Sequence, residues 1–360
     1  MINLVNTKTP PIRVETGNTG AFLSLPETIY PVRSCPRNTK EESKLLSGTH
    51  VLSKYFNIYV FTAFRNSIIV SRCAITIYPD DQTAYLGFFD SKDDGEAVAA
   101  LFTAAENFAR SNGLDRVAGP VDGSFWLNYR MKVNLFDDPP YFGEPCGLPW
   151  YQKLWEQNGY AATDTYTSNI YRVASKEYVN KKYQDRLAAF IEKGYKIISP
   201  KGREWNTVIG EVYNLIMRLY SDFPIFKAIS EEDFRKHCAG LKHILDFSMV
   251  KIAYFNGLAV GFFISAPDYG YMLNRPLSPL SYIPVFFKKK LPSRYVMLYM
   301  GVDREHKGLG KAVAQTIIDR LRQKRSASIG ALIHEGKVTE RYAEDMIEGK
   351  YRYMLFEKHL

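Results

Sequence analysis

Apolar residues recur along this chain with two periods. Val98, Leu101, Phe102, Ala105, Phe108 and Ala109 fall on one helical face, and Val313, Ala314, Ile317, Ile318 and Leu321 fall on another. A strand-like run precedes each, at 84–89 and at 295–300. Two hairpins stand upstream of these runs. Residues 59–64 and 68–70 are β-branched or aromatic and flank Arg65-Asn66-Ser67, while 251–255 and 258–264 flank Asn256-Gly257, the strongest two-residue hairpin turn.

The elements repeat in order. Asn66 and Asn256 are 190 positions apart, and so are Gly159 and Gly349, each of which closes a predicted short helix, at 151–159 and 341–349. Strand-like segments follow at 168–173 and 351–356. Two landmarks sharing one offset and one order predict an internal duplication. Each half reads as helices, a hairpin, then strand, helix, strand, helix, strand, which is a mixed α/β sheet. The boundary is expected where 168–173 gives way to the helix 182–191, so that the domains are 1–175 and 176–360.

Composition narrows the class without choosing a function. With 46% hydrophobic and 24% charged residues the chain is globular, and 25 Tyr and 22 Phe suit strand-rich cores. Cys35, Cys73, Cys146 and Cys238 lie far apart with no C-x-x-C, which points to a reducing cytoplasm and to neither a disulfide framework nor a metal. The first eight residues lack the basic-then-apolar design of a signal, and no run reaches the ~18 apolar residues of a membrane span. The net charge of +9 favours an anionic partner: nucleic acid, a membrane surface or a phosphate-bearing small molecule. Its densest cluster, Lys288-Lys289-Lys290, reads as a solvated loop, and no stripe of Arg alternating with stacking aromatics supports single-strand binding.

The chemistry concentrates at one strand-to-helix junction, residues 300–312, where Met300, Gly301 and Val302 end the strand and Lys307, Gly308, Leu309, Gly310, Lys311 and Ala312 open the helix. Two glycines let backbone approach a ligand, and the first N–H groups of a helix lack intrahelical partners. With the helix dipole and two lysines, such a place suits a pyrophosphate. Val313 stands where a dinucleotide fingerprint needs its third Gly, and the G-K-[ST] of a Walker loop is absent.

The junction resembles motif A of the GNAT N-acetyltransferases, [QR]-x-x-G-x-[GA], here Glu305-His306-Lys307-Gly308-Leu309-Gly310 with Glu in the first position. Gly119-Pro120, 136–140, Trp150-Tyr151 and 353–360 are similar to bacterial proteins built from two GNAT-like halves. The resemblance implies two tandem GNAT-like acyl-CoA N-acyltransferase folds, with acetyl-CoA or another acyl-CoA as co-substrate and a small-molecule or peptide amine as acceptor. The equivalent junction of the first half, 90–97, lacks G-x-G and gathers carboxylates, as a degenerate copy would.

Direct acyl transfer needs a base for the amine, a donor for the oxyanion and an acid for the thiolate. The resemblance implies that 300–302 supplies the donor and that Tyr342, in the predicted helix before Gly349, supplies the acid. His334, at the end of a predicted strand 329–333, is the candidate base, with Asp303 and Glu335 as weaker alternatives. Two other functions fit the same residues. One is an aminoacyl-tRNA-dependent transferase of the paired-GNAT type, which makes tRNA the one nucleic acid to consider, and the other is a non-catalytic CoA- or ligand-binding protein.

Overall fold

The computed structural model describes residues 11–31, 36–223, 225–274 and 282–360, so the N-terminal segment and Cys35 lie outside the described residues. The elements run β1 (Ile12–Thr16), α1 (Thr19–Ile29), α2 (Thr39–Leu46), β2 (Asn57–Arg65), β3 (Ile68–Ile77), β4 (Thr83–Ser91), α3 (Gly95–Ser111), β5 (Arg116–Gly119), β6 (Met131–Lys132), α4 (Tyr151–Gln157) and β7 (Ala161–Tyr171). They continue with α5 (Lys181–Glu192), β8 (Lys196–Ile198), α6 (Trp205–Leu219), α7 (Glu231–His237), α8 (Leu241–Ile244), β9 (Val250–Phe255), β10 (Leu258–Pro267), α9 (Tyr282–Lys290), β11 (Arg294–Val302), α10 (Leu309–Lys324), β12 (Ala327–His334) and β13 (Ile347–His359).

Two compact units form. Unit 1 comprises Met1–Met131, Gly147–Thr163 and Leu355–Leu360, and unit 2 comprises Lys132–Cys146 and Asp164–Met354. In unit 1 the strands run β1-β2-β3-β4-β5 and then the end of β13, where Phe356–His359 pair antiparallel with Gly119–Arg116. In unit 2 they run β7-β12-β11-β10-β9-β8. Within each unit one pair is parallel, β4 with β5 and β11 with β12.

This partition differs from a single cut between 175 and 176. The strand expected to close the first half, 168–173, pairs within unit 2, Ser328 opposite Tyr171 and Ile329 opposite Ile170. The tail of the last strand pairs within unit 1. Strand pairing is long-range, and a β-strand carries no mark of which sheet takes it.

The hairpins are as expected. Asn66 and Ser67 have φ of 50° and 62°, and Asn256 and Gly257 have 50° and 81°, the two positive values that a right-twisted hairpin turn requires. The second landmark is not repeated. Gly159 follows α4 with φ of 82°, whereas Gly349 lies inside β13. The predicted helix 341–349 is two short 3₁₀ turns, Val338–Arg341 and Glu344–Met346, parted by Ala343 at φ of 44°. Tyr351, Tyr353 and Leu355 are buried at alternate positions beyond them, so a period of two wins over helix.

In unit 2 the core that holds the junction is formed by α10 and α5 against β9–β11: Leu309, Ala312, Val313, Ile317 and Leu321 meet Tyr183, Phe190, Ala253, Val260, Phe263 and Tyr295. Asn180 caps α5 by accepting from Tyr183 N. In unit 1, α3 buries Ala97, Val98, Leu101, Phe102, Ala105 and Ala109 in the same manner. Lys288-Lys289-Lys290 do not form a loop but end α9, where Lys288 Nζ donates to Asp268 O and Lys289 Nζ to His243 O.

Candidate functional site

The junction in unit 2 begins where two strands part. β11 pairs in parallel with β12 from Arg294 opposite Ala327 to Met297 opposite Gly330. Beyond that point β11 keeps only its other neighbour in the described register, Met300 opposite Phe263, Gly301 opposite Phe262 and Val302 opposite Gly261. β12 turns to β7 instead, with Leu332 at φ of 57° and its N–H on Ser168 Oγ at 2.9 Å. The segment 300–302 therefore borders a gap in the ladder. Gly301 has a packing reason of its own, since a Cβ there would lie 2.7 Å from Phe262 Cε1 and 2.8 Å from Leu219 Cδ1.

The loop between β11 and α10 is fixed. Asp303 N–H bonds Val260 O and His306 N–H bonds Asp303 O, both at 2.9 Å. His306 Nδ1 is 2.7 Å from Tyr195 OH, and its ring meets those of Tyr195 and Phe255. Gly308 caps α10 at φ of 93°, a conformation that favours glycine. Of the amides at 308–311, those of Leu309 and Lys311 bond His306 O and Gly308 O. Leu309 and Ala312 are fully buried core residues, whereas Glu305, Lys307 and Gly308 are exposed.

Helix α5 brings further cations here that the sequence reading did not select. A Cβ on Gly308 would lie 3.4 Å from Arg186 Nη1. Burial lowers the Lys311 pKa, and the neighbouring charges of Lys182 and Arg186 lower it further. Three cations thus converge on one helix N-terminus with mutual repulsion, an arrangement that an anion would relieve. The spacing of Lys182 and Arg186, four apart on a helix, was the available signal.

Tyr342 and His334 occupy separate clusters. The Tyr342 hydroxyl would sit 2.5 Å from a Cβ on Gly310, and Met300 Cε 3.0 Å from it, so Gly310, Met300 and Tyr342 pack together. Burial, then the neighbouring Tyr183, raises the Tyr342 pKa to about 12. At the end of β12, His334 Nε2 is 2.7 Å from Asp164 Oδ1, and Nδ1 is 3.0 Å from Glu335 O. Each ring nitrogen thus faces an oxygen, one of a carboxylate and one of a carbonyl. Asp164 is 170 residues away in sequence and was not foreseen. Tyr166 and Phe223 border the same imidazole, and Tyr220 donates to Met300 O at 3.1 Å. Of the weaker alternatives, Asp303 is paired with Arg218, and Glu335 offers its backbone to His334.

The corresponding junction in unit 1 is closed by its own chain. Parallel pairing of β4 with β5 ends at Tyr85 opposite Ala118. Val121 N–H then bonds Leu86 O at 2.9 Å, Asp122 Oδ1 accepts from Phe88 N–H, and Val121 O lies 1.8 Å from where a Cβ on Gly87 would be. Asp90, fully buried, accepts from Arg37, Arg72 and Tyr30, while Arg72 also bridges to Glu42. Asp94 caps α3 and pairs with Arg65.

No family model matches the chain. Protein YghO of Escherichia coli (strain K12) is 25% identical over 330 residues, spanning 84% of this chain and 81% of that protein. A tandem GNAT protein from the clavulanic acid biosynthesis pathway superposes with a TM-score of 0.53 at 11% identity, covering 97% of this chain and 98% of its own. A GCN5-related glucosamine N-acetyltransferase region of a fungal multi-domain β-N-acetylglucosaminidase gives 0.57 at 16% identity, covering 98% of this chain and 38% of its own. A conserved protein from Enterococcus faecalis V583, described as a probable N-acyltransferase, gives 0.52 at 9% identity over 97% of this chain and 73% of its own. At these identities the likeness is one of architecture, and the chain has the tandem GNAT fold.

Proposed function

We propose that unit 2 binds an acyl-CoA at the β11–α10 junction and transfers the acyl group to a small-molecule or peptide amine. One observation carries the reading: a parted parallel strand pair leads directly into a glycine-capped helix on which Lys182, Arg186 and Lys311 converge. The fit is a matter of backbone and charge. Gly308 and Gly310 offer amides without side chains, the three cations face the phosphates, and 300–302 borders the gap that an extended pantetheine arm would fill. Glu305, exposed, points no buried charge against the phosphates.

Bound acyl-CoA supplies the activated thioester. The residues of the chain then position and move protons. Tyr342, held as a neutral phenol across the physiological range by burial, donates to the leaving sulfur as the C–S bond breaks. The His334 imidazole, oriented by the Asp164 carboxylate, receives the proton of the attacking amine. Backbone N–H groups of 300–302 hold the oxyanion.

Release of free thiol from acetyl-CoA across a panel of amines tests this directly. Amine-dependent release is expected. Saturable acetyl-CoA binding with no release for any amine would favour the non-catalytic alternative, for which the packing of Tyr342 on Gly310 and the commitment of both His334 nitrogens are the supporting observations.

A further inference from the structure

Helix α9 is inverted relative to the other helices of unit 2. Its one buried residue is Val285, and the opposite face carries Tyr282, Ile283, Phe286 and Phe287, each between 53% and 59% exposed, followed by Leu291 at 80%. At 100° per residue these positions share one side of the helix, with Lys290 in the middle of them. Lys290 Nζ lies 5.7 Å from the Phe286 ring centroid. The helix is pinned to the body from behind, since Lys288 and Lys289 donate to backbone carbonyls of 268 and 243. Four large apolar side chains pointing to water on nine residues have a cost that the fold itself does not require.

We propose that this face is a docking surface for an anionic lipid bilayer. The aromatic and aliphatic side chains would enter the boundary between headgroups and acyl chains, while Lys290, in the middle of that face, reaches the phosphates. Charge decides between this occupant and a second copy of the chain. A two-fold interface built on this face would bring Lys290 against its own symmetry mate inside an apolar contact, which is unfavourable, whereas an anionic surface neutralises it. A convex helix also needs no preformed complementary groove in a fluid bilayer. The protein would thereby sit on a membrane without spanning it, consistent with the finding that no described helix is long and apolar enough to cross one. None of these residues belongs to the proposed acyl-transfer site, so the surface stands or falls independently of it.

Co-sedimentation of the full chain with phosphatidylcholine vesicles, with and without phosphatidylglycerol, tests the proposal. Binding is expected only with phosphatidylglycerol, weakening as salt is raised. The double substitution Phe286→Ser with Phe287→Ser should lower the partition coefficient at least about tenfold, and Lys290→Glu by a smaller factor. Leu291→Ser, at the helix end where the side chain is 80% exposed, gives a second reading and should also weaken binding. Absence of binding to the anionic vesicles, or full binding by the double variant with its far-UV spectrum unchanged, overturns the proposal. So does concentration-dependent self-association that the same substitutions abolish without any vesicle binding.

Discussion

The β4–α3 and β11–α10 junctions hold the same position in their units, yet their chemistry is opposite. Both follow a two-residue hairpin and a strand whose parallel pairing stops partway. In unit 1 the chain then fills its own gap with Val121 and Asp122 and places Asp90 and Asp94 among arginines. In unit 2 the strands stay apart and the helix opens on glycines among cations. One architecture thus carries a junction that satisfies itself and a junction on which three cations converge, the feature on which the proposed acyl-CoA site rests. The difference resides in a handful of side chains at the strand end, while the sheet that presents them is retained.

Substitutions should separate the two junctions by what they damage. The largest effect is expected from Arg72→Ala in unit 1, which leaves the buried Asp90 and Glu42 short of a partner and should cost about 3–5 kcal/mol of stability by chemical denaturation. Acetyl-CoA affinity of the folded fraction should be unchanged, and its loss in a folded Arg72→Ala protein would break the comparison.

Gly310→Glu in unit 2 should lower affinity, read on the folded fraction because a Cβ there meets Tyr342 and Met300. Losing two charge-assisted hydrogen bonds of roughly 1.5–3 kcal/mol each weakens acetyl-CoA binding about a hundredfold or more in a calorimetric titration. Because the Tyr342 hydroxyl and Met300 Cε crowd the same point, Gly310→Ala combined with Tyr342→Phe separates packing from phosphate recognition: relief of the contact should restore most of the affinity lost by Gly310→Ala alone. Asp164→Asn should lower kcat about tenfold to a hundredfold with little change in KM, as expected when a proton-transfer imidazole loses its orienting carboxylate. Lys311→Ala should matter least, about 1 kcal/mol or below, since its charge is partly solvated and two other cations remain.

Local signals in the sequence were sufficient for most of the fold. Asn256-Gly257 fixed a hairpin through backbone conformation alone, and of the periodic apolar face of α10, Val313, Ala314, Ile317 and Leu321 are buried and Ile318 is partly buried. What failed was decided by distant partners. Gly349 looked like a helix stop because glycine often is one, but alternate burial of Tyr351, Tyr353 and Leu355 drew the segment into a strand. The same limit hid Asp164, Lys182 and Arg186, which reach their sites only through tertiary packing, and it hid the allocation of 168–171 and 356–359 to their units. His334 was visible as a histidine at a strand end, whereas its pairing with Asp164 came from a neighbour that no local pattern names.

The central claim is that unit 2 alone holds the acyl-CoA site. Hydrogen exchange followed by mass spectrometry, on the intact chain with and without acetyl-CoA, measures it directly. Slowed exchange is expected in peptides spanning 298–312, with no change in peptides spanning 86–97. Protection at 86–97, or none at either junction under saturating acetyl-CoA, would contradict the account.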